Sequence, residues 1–437
     1  MIRPNDMIIA KGRYYDMDCH KTKLNNNVLI VGGSGCGKTR GVVIPNILQA
    51  TGSYIISDPK GNLYDKYANY LWEKGYTVKK LNFINPNDSV CYNFFNYINS
   101  YQDVLKVADM LTYIDGKKDS GKVDPFWDES TCILFQALIA YLRFERPECD
   151  RNIAGMYKLL AAAEIEADES DDIFESALDY IFKQLKQRDP DNFAAKQYFK
   201  FRTAANKTLK SIIITAFSKL GAYDTPELTW MMRRDDINAK SIGQEKTAIF
   251  VVVSDTDRSM DVLVNLFFSQ IMNELCLYAD TECEGQSLPQ HVRFILDDFA
   301  TNCRINEFPR IISSIRSRNI STTLMIQAES QLTSGYGEDR KTIIANCDTY
   351  AYLGGNDIDT AETVARRSDQ PYQDIMYMPI GSCWIFRRGE RPVEARIFNP
   401  DDYMLEVYMP DTESKKQKQA EKKDFHVTGF CPVSVRD

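Results

Sequence analysis

One stretch limits what this chain can become. Residues 27–39 read Asn-Val-Leu-Ile-Val-Gly-Gly-Ser-Gly-Cys-Gly-Lys-Thr: a short aliphatic run, a glycine-rich loop, and a segment able to start a helix. The loop satisfies G-x-x-x-x-G-K-[ST], with Gly32, Gly37, Lys38 and Thr39 at the fixed positions and Gly33, Ser34, Gly35 and Cys36 between them. Glycine is required because only a loop without side chains lets successive N–H groups converge on phosphate oxygens, with the positive end of the next helix behind them. Lys38 is then placed for the β- and γ-phosphates of a nucleotide, and the Thr39 hydroxyl for Mg²⁺. A chance match in a flexible loop would have no need of the buried strand in front of it.

Composition narrows the rest. At 437 residues and 44% hydrophobic content the chain can bury a large core and has room for two or three domains. A formal charge of −8 argues against a general nucleic-acid coat, so any DNA contact must be focused on a local basic channel. Eleven cysteines without a Cys-x-x-Cys pair, and three histidines, give neither a zinc site nor a disulfide framework; they read as ordinary reduced thiols of a cytosolic protein. The opening residues lack the apolar core of a signal peptide. The most apolar runs, 247–253 and 262–268, stop short of the ~18 residues a membrane span needs, so the chain as given reads as soluble.

Along the chain, residues 1–26 look like a lead-in without chemistry. A helix is expected from Lys38, limited or kinked by Pro45. Residues 53–57 predict a second buried strand that delivers Asp58-Pro59-Lys60-Gly61 to its carboxyl end, the edge where parallel sheets bind ligands. Asp58 and Lys60 are therefore candidates for a second polar shell around the nucleotide, against the plainer reading of a Pro-Gly turn. A helix over 63–74 and a strand over 76–81 follow.

The alternation then breaks. Residues 104–112, 131–144, 153–163, 173–186 and 193–217 carry helical patterns, with an acidic linker (Glu164, Glu166, Asp168, Glu169, Asp171, Asp172) among them. The expected organisation is a first part of an α/β domain at 1–101, an all-α domain at 102–235, the second part at 236–410 and a charged tail at 411–437. Within the helical part, Lys196, Lys200, Lys207 and Lys210 interleave with Tyr198, Phe199 and Phe201. That pattern suits single-stranded nucleic acid, although lysines on a solvent face and aromatics in a core explain the same letters. Strands are expected again at 247–253, 291–296, 320–326, 350–353, 383–386 and 393–398, with helices at 259–278, 308–317 and 357–367. Five lysines in residues 414–423 make a solvated tail.

A P-loop needs a carboxylate at the end of another strand to hold Mg²⁺ and orient a water. Asp297 and Asp298 end the strand at 291–296: Asp297 is the Mg²⁺-side carboxylate and Asp298 the water-orienting base. Gln327 ends the next strand and is placed to sense the γ-phosphate. Arg310, Arg316 and Arg318 exceed what one subunit's own site needs, and an arginine supplied to a neighbour's phosphates would require a ring.

Taken in order, Gly32 to Thr39, Asp58-Pro59-Lys60-Gly61, Asp124-Pro125-Phe126-Trp127, Leu296-Asp297-Asp298-Phe299-Ala300, Ser314-Ile315-Arg316-Ser317-Arg318 and Gln327 resemble the coupling ATPases of type IV secretion and conjugation systems. Asn346-Cys347-Asp348-Thr349 and Leu353-Gly354-Gly355-Asn356-Asp357 resemble the Gram-positive branch. The likeness runs over about residues 24–400. It implies an α/β, RecA-like P-loop NTPase domain with a mostly parallel central sheet, interrupted by an all-α domain and assembled as a homo-hexamer. Such a ring uses ATP and Mg²⁺ to move single-stranded DNA, with its relaxase, into a secretion channel. Lys38 and Thr39 match the family's P-loop pair, Asp297 its metal aspartate, and Arg316, ahead of Arg318, its arginine in trans. Asp298 stands where the family usually has glutamate. Family members commonly begin with transmembrane helices, so the expectation is a cytoplasmic protein, or one peripheral at the cytoplasmic face of the membrane, whose anchor is a separate subunit or lacking. The rivals are a duplex-DNA ring translocase, a soluble cargo receptor using ATP as a switch and, more distantly, a small-molecule kinase.

Overall fold

The computed structural model describes residues 1–113, 125–163, 175–299, 301 and 303–406. The acidic linker, Asp124, Ala300 and the lysine tail lie outside the described residues. The chain forms two compact units: Met1–Asn26, Ile30–Thr51 and Asp348–Asp437 make the first, and Asn27–Leu29 with Gly52–Cys347 the second.

The first unit opens on an antiparallel hairpin, β1 (Asp6–Ala10) and β2 (Arg13–Asp16). It contains the end of β3 (Val28–Val31), then β9 (Thr349–Tyr352), β10 (Ser382–Arg387) and β11 (Val393–Arg396), in the order β11-β10-β9-β3. β10 runs antiparallel to both β9 and β11. The hairpin is more than a lead-in. Asn46 accepts from Ile8 N–H at 3.1 Å and donates to the Ile8 carbonyl at 2.7 Å, clipping β1 to the helix Ile44–Gln49.

The second unit holds β4 (Ser53–Pro59), β5 (Thr77–Asn82), β6 (Thr247–Val253), β7 (Val292–Leu296) and β8 (Ile320–Ile326) in the order β8-β7-β4-β6-β5. All neighbouring pairs are parallel. Parallel strands covered on both faces must be apolar throughout, and β6 is Thr-Ala-Ile-Phe-Val-Val-Val, buried at every residue. Asn27, just before β3, accepts from the Thr322 N–H at 3.0 Å, so β3 starts against β8.

Among the described residues no strand lies between β5 and β6; helices Tyr101–Thr112, Pro125–Glu145, Ile153–Ala161, Ala177–Arg188, Phe193–Phe201 and Asn206–Leu220 fill the interval. Lys219 ties three of them together, donating to the Thr112 carbonyl at 2.7 Å and pairing with Asp128 at 3.0 Å. The stretch expected as one helix over 193–217 is two. Arg202 turns its guanidinium to Asp179 at 2.8 Å, and the Thr203 hydroxyl takes the Lys200 carbonyl, so the first helix closes there. Likewise the helix expected over 308–317 ends at Ile312, where Ser313 and Ser314 bond back to Arg310 and Ile311 and a 3₁₀ turn, Ile315–Arg318, takes over.

The helix Asp261–Glu282 is long and apolar enough to cross a membrane by length and composition, but 72% of its apolar window is buried inside the protein. Its face carries Phe267 against Tyr92, and its Gln270 joins the Tyr92 hydroxyl to the Phe94 carbonyl; it is a core helix of the second unit.

Candidate functional site

The phosphate loop is built on β3. Leu353 N–H donates to the Val31 carbonyl at 2.8 Å, and Gly33 N–H to the Gly354 carbonyl at 2.9 Å, so the loop lies directly on the chain that leaves β9. Side chains would not fit. A Cβ on Gly32 would meet Cys36 Sγ at 2.5 Å, and one on Gly355 would meet Gly33 N at 3.3 Å. Gly35 and Gly37 hold positive φ, 74° and 91°, where an L side chain is strained. Gly354 and Gly355 thus form the floor of the loop, a role that sequence reading assigned only to family likeness.

Lys38 is 91% buried, since its relative exposure is 9%. Its ammonium donates to the carbonyls of Gly32 at 2.5 Å and Gly33 at 3.1 Å, which holds one positive charge across the loop. Beyond it the helix expected from Lys38 starts with a wide turn, Thr39–Val43, in which Ile44 N–H reaches the Thr39 carbonyl. Pro45 explains the widening. It has no N–H to give to Gly41, and its ring would collide with that carbonyl in a regular α-turn.

The acidic edge belongs to the second unit. β7 ends in Asp297, 9% exposed, followed by Asp298 with φ 49°. The Asp298 N–H donates to Asp297 Oδ1 at 3.0 Å, and Gln327 Nε2, from the end of β8, donates to Asp298 Oδ1 at 3.3 Å. Ser57 on β4 donates to the Asp297 carbonyl at 3.3 Å. The adjacent acids and the glutamine expected from two strand ends therefore meet at one edge. The left-handed backbone at Asp298 also gives a physical reason for aspartate at a position where the family usually carries glutamate, because a short polar side chain tolerates that region better.

Asp58 and Lys60 have protein partners in this structure. The Asp58 carboxylate, 1% exposed, accepts from Leu63 N–H at 3.0 Å and Tyr64 N–H at 2.8 Å. It thereby caps the helix Asn62–Glu73, whose own N-cap is Gly61 and has no side chain to offer. Burial pushes its carboxyl above the usual range despite those two donors. Lys60, exposed, pairs with Asp255 at 2.9 Å. In this structure Asp58 serves as a helix cap and Lys60 as half of a surface pair. Asp58→Ala is accordingly expected to cost about 1–2 kcal/mol in a denaturant melt, the usual worth of a cap, and to leave nucleotide affinity unchanged in a fluorescent-nucleotide titration. A tenfold loss of affinity at unchanged stability would return Asp58 to the nucleotide.

The three arginines differ in exposure. Arg318 grips Asp280 with two bonds of 2.8 Å and donates to the Ser314 carbonyl, so it is committed within its own chain. Arg316 is exposed on the turn Ile315–Arg318, and Arg310 is exposed on the helix before it.

The interleaved lysines and aromatics are mainly core and surface. Tyr198 is buried, stacked on Phe182 with ring centroids 4.2 Å apart, and its hydroxyl donates to Asp179 at 3.0 Å. Phe201 is buried too, and Lys196 pairs with Asp191 at 2.7 Å. The stacking surface that single-stranded nucleic acid needs is therefore not supplied by Tyr198 or Phe201, which stay inside because their packing holds two helices together.

A glycine loop at the end of one strand, with paired acids at the end of another, defines a P-loop NTPase fold. The chain belongs to the type IV secretory system conjugative DNA transfer family, whose match covers residues 2–368. It is 24% identical over 366 residues to the conjugal transfer protein TraG of Escherichia coli, covering 79% of this chain and 55% of TraG. To the protein VirD4 of Rhizobium radiobacter it is 23% identical over 350 residues, 77% of this chain and 47% of VirD4. The chain thus spans about half the length of these curated relatives. Among solved structures it is similar to the bacterial conjugative coupling protein TrwBΔN70 in complex with sulphate, with a TM-score of 0.65, 15% identity, and 90% and 89% of the two chains covered. The likeness extends to TrwB in complex with ADP and Mg²⁺, with a TM-score of 0.63, 16% identity, and 90% and 89% coverage. The fold is accordingly α/β and RecA-like, with mostly parallel strands and a helical interruption.

Proposed function

We propose that this chain is an ATP-hydrolysing coupling protein that brings a relaxase–DNA complex to a type IV secretion channel and drives single-stranded DNA into it, working as a homo-hexamer at the cytoplasmic face of the membrane. The helical stretch between β5 and β6 is a domain of its own in this reading. The observation that carries it is the phosphate loop with its buried Lys38, in a chain that the conjugative transfer family matches over residues 2–368. TrwB, a solved protein it resembles, is known with ADP and Mg²⁺.

Lys38 and the loop N–H groups of residues 33–39 hold the β- and γ-phosphates. Thr39 and Asp297 would hold Mg²⁺, since a hydroxyl and a carboxylate are the all-oxygen donors that this hard cation takes. When bound, the ion would neutralise charge developing on the transferring phosphoryl group. Asp298 accepts the proton of the attacking water and Gln327, bonded to it, fixes its orientation and senses the γ-phosphate. Arg316 is assigned to the nucleotide of a neighbouring subunit.

Asp298→Asn tests the base. The amide keeps the short side chain but cannot take a proton, so ADP affinity should stay within about threefold while turnover falls by ~10²–10⁴, the worth of a positioned base. Surviving turnover would assign the proton to another group. Stimulation of hydrolysis by single-stranded but not duplex DNA supports the transfer reading. Duplex-only stimulation would indicate a duplex translocase, and binding without turnover a cargo receptor switched by ATP.

A further inference from the structure

The phosphate loop has a second support, away from its floor. Gly41 is buried one turn into the helix that follows the loop, and a Cβ there would stand 2.2 Å from Ile397 Cγ2 and 3.5 Å from the Phe398 carbonyl oxygen. Ile397 also reaches Gly37, with Cδ1 and Cγ2 each 3.9 Å from where a Cβ would be. Its own place is fixed. The Ile397 N–H donates to the Gly381 carbonyl at 2.8 Å, and Phe398 beside it is buried in a cluster with Ile2, Ile8 and Tyr403. Arg40, between the two glycines, donates to Asp401 at 2.8 Å and Asn399 at 3.3 Å. The segment after β11 is therefore a strap along the first turn behind the loop, and Ile397 fills the hollow that two glycines leave.

We propose that Ile397 is a positioning residue for the phosphate loop: seated against Gly37 and Gly41, it sets the angle at which the turn Thr39–Val43 presents the loop amides and Lys38 to a nucleotide. The wide turn forced by Pro45 is closed by the longer Ile44 N–H to Thr39 carbonyl bond and by Gly41 N–H on the Gly37 carbonyl at 2.7 Å, and the Ile397 contact adds a side-chain stop to those bonds. Groups that bind phosphate through converging N–H donors lose their effect when displaced by about 1 Å, a shift for which catalytic sites forfeit up to ~10²-fold. This inference rests on the reading of the loop as a nucleotide site.

The test is a titration of the full chain with a fluorescent ADP analogue and Mg²⁺, alongside a thermal melt. Gly41→Ala drives a methyl into Ile397 and should weaken ADP binding at least tenfold. Adding Ile397→Ala removes Cγ2, leaving its Cβ 3.7 Å from the new methyl, an ordinary contact. The double variant should recover to within about threefold of the parent. Recovery at an unchanged melting temperature marks positioning, because a contact that served only the fold would move the melt and not the affinity. Parent-like binding by Gly41→Ala overturns the proposal, as does a folded double variant that stays weak. Should Gly41→Ala not fold, Ile397→Ala alone decides: threefold or greater weakening supports the role and unchanged affinity ends it. If the parent itself binds no ADP analogue, the nucleotide reading falls first and this proposal with it, an outcome distinct from the others.

Discussion

Lys38→Ala is expected to abolish ATP turnover while leaving the protein folded. The loop does not depend on the ammonium for its shape: Gly33 is pinned to the Gly354 carbonyl at 2.9 Å, and the glycines lie against Leu353 and Gly355 whatever side chain stands at 38. The lysine's two bonds, to the Gly32 and Gly33 carbonyls, are made to groups of the loop itself, so the loss is confined to the loop. What disappears is the positive partner of the β- and γ-phosphates. A charge-assisted hydrogen bond is worth about 1.5–3 kcal/mol, so nucleotide affinity should fall roughly 10–100-fold. Turnover should fall further, because negative charge shifts over the phosphates during transfer and the lysine acts most strongly there. A phosphate-release assay at saturating ATP, with and without single-stranded DNA, checks it. Unchanged hydrolysis would remove the P-loop assignment, and a collapsed melting temperature would show that the ammonium holds the loop.

What could be read in the sequence divides along the range of the interactions involved. β6 and β8 match their expected limits to the residue, since a continuous apolar run marks a strand buried on both faces and its neighbours need not be known. The P-loop and the acids after β7 were legible for a related reason: their chemistry is local and their spacing fixed. The Asp58 cap was not. An aspartate before a Pro-x-Gly turn looks the same whether it faces a ligand or the next helix, and the cap is seen only in the N–H groups of Leu63 and Tyr64. The floor made by Gly354 and Gly355, the clip from Asn46 to Ile8 and the seat of Ile397 join residues up to several hundred positions apart, and such contacts leave no periodicity to find. The split of the 193–217 helix belongs to the same class, because it follows from Arg202 turning to Asp179. Tyr198 and Phe201 show the reverse case, where the core reading was the one that packing bears out. Lysines between aromatics suggest nucleic acid until packing shows that the rings stack on their own protein.

Arg316→Ala should leave ATP binding near that of the parent and cut assembly-dependent hydrolysis by about 10³, the lower end of what an arginine finger contributes. The reasoning begins with Arg318, whose guanidinium is held by both Asp280 oxygens at 2.8 Å and cannot leave without abandoning that pair. Arg316, two residues earlier on the same 3₁₀ turn, is exposed, and the turn itself is anchored by the buried Ile315 and by β8 directly after it. A turn anchored on both sides fixes the backbone from which this cationic side chain extends, so only the side chain is left to be ordered on reaching another molecule. Mixing separates trans action from every role within one subunit. Lys38→Ala keeps its arginine but loses its phosphate loop, and Arg316→Ala keeps the loop but loses the arginine. In a mixed ring some interfaces pair an intact loop with an intact arginine, so combining two inactive proteins should restore part of the activity. For random assembly, one interface in about four carries both intact parts, which sets an upper limit near one quarter of parent turnover if each interface acts independently. Recovery must also rise with total protein concentration, as assembly does. A mixture that co-assembles by light scattering yet stays inactive, or an Arg316→Ala protein that hydrolyses ATP like the parent, would place Arg316 outside the nucleotide chemistry and end the trans-acting model.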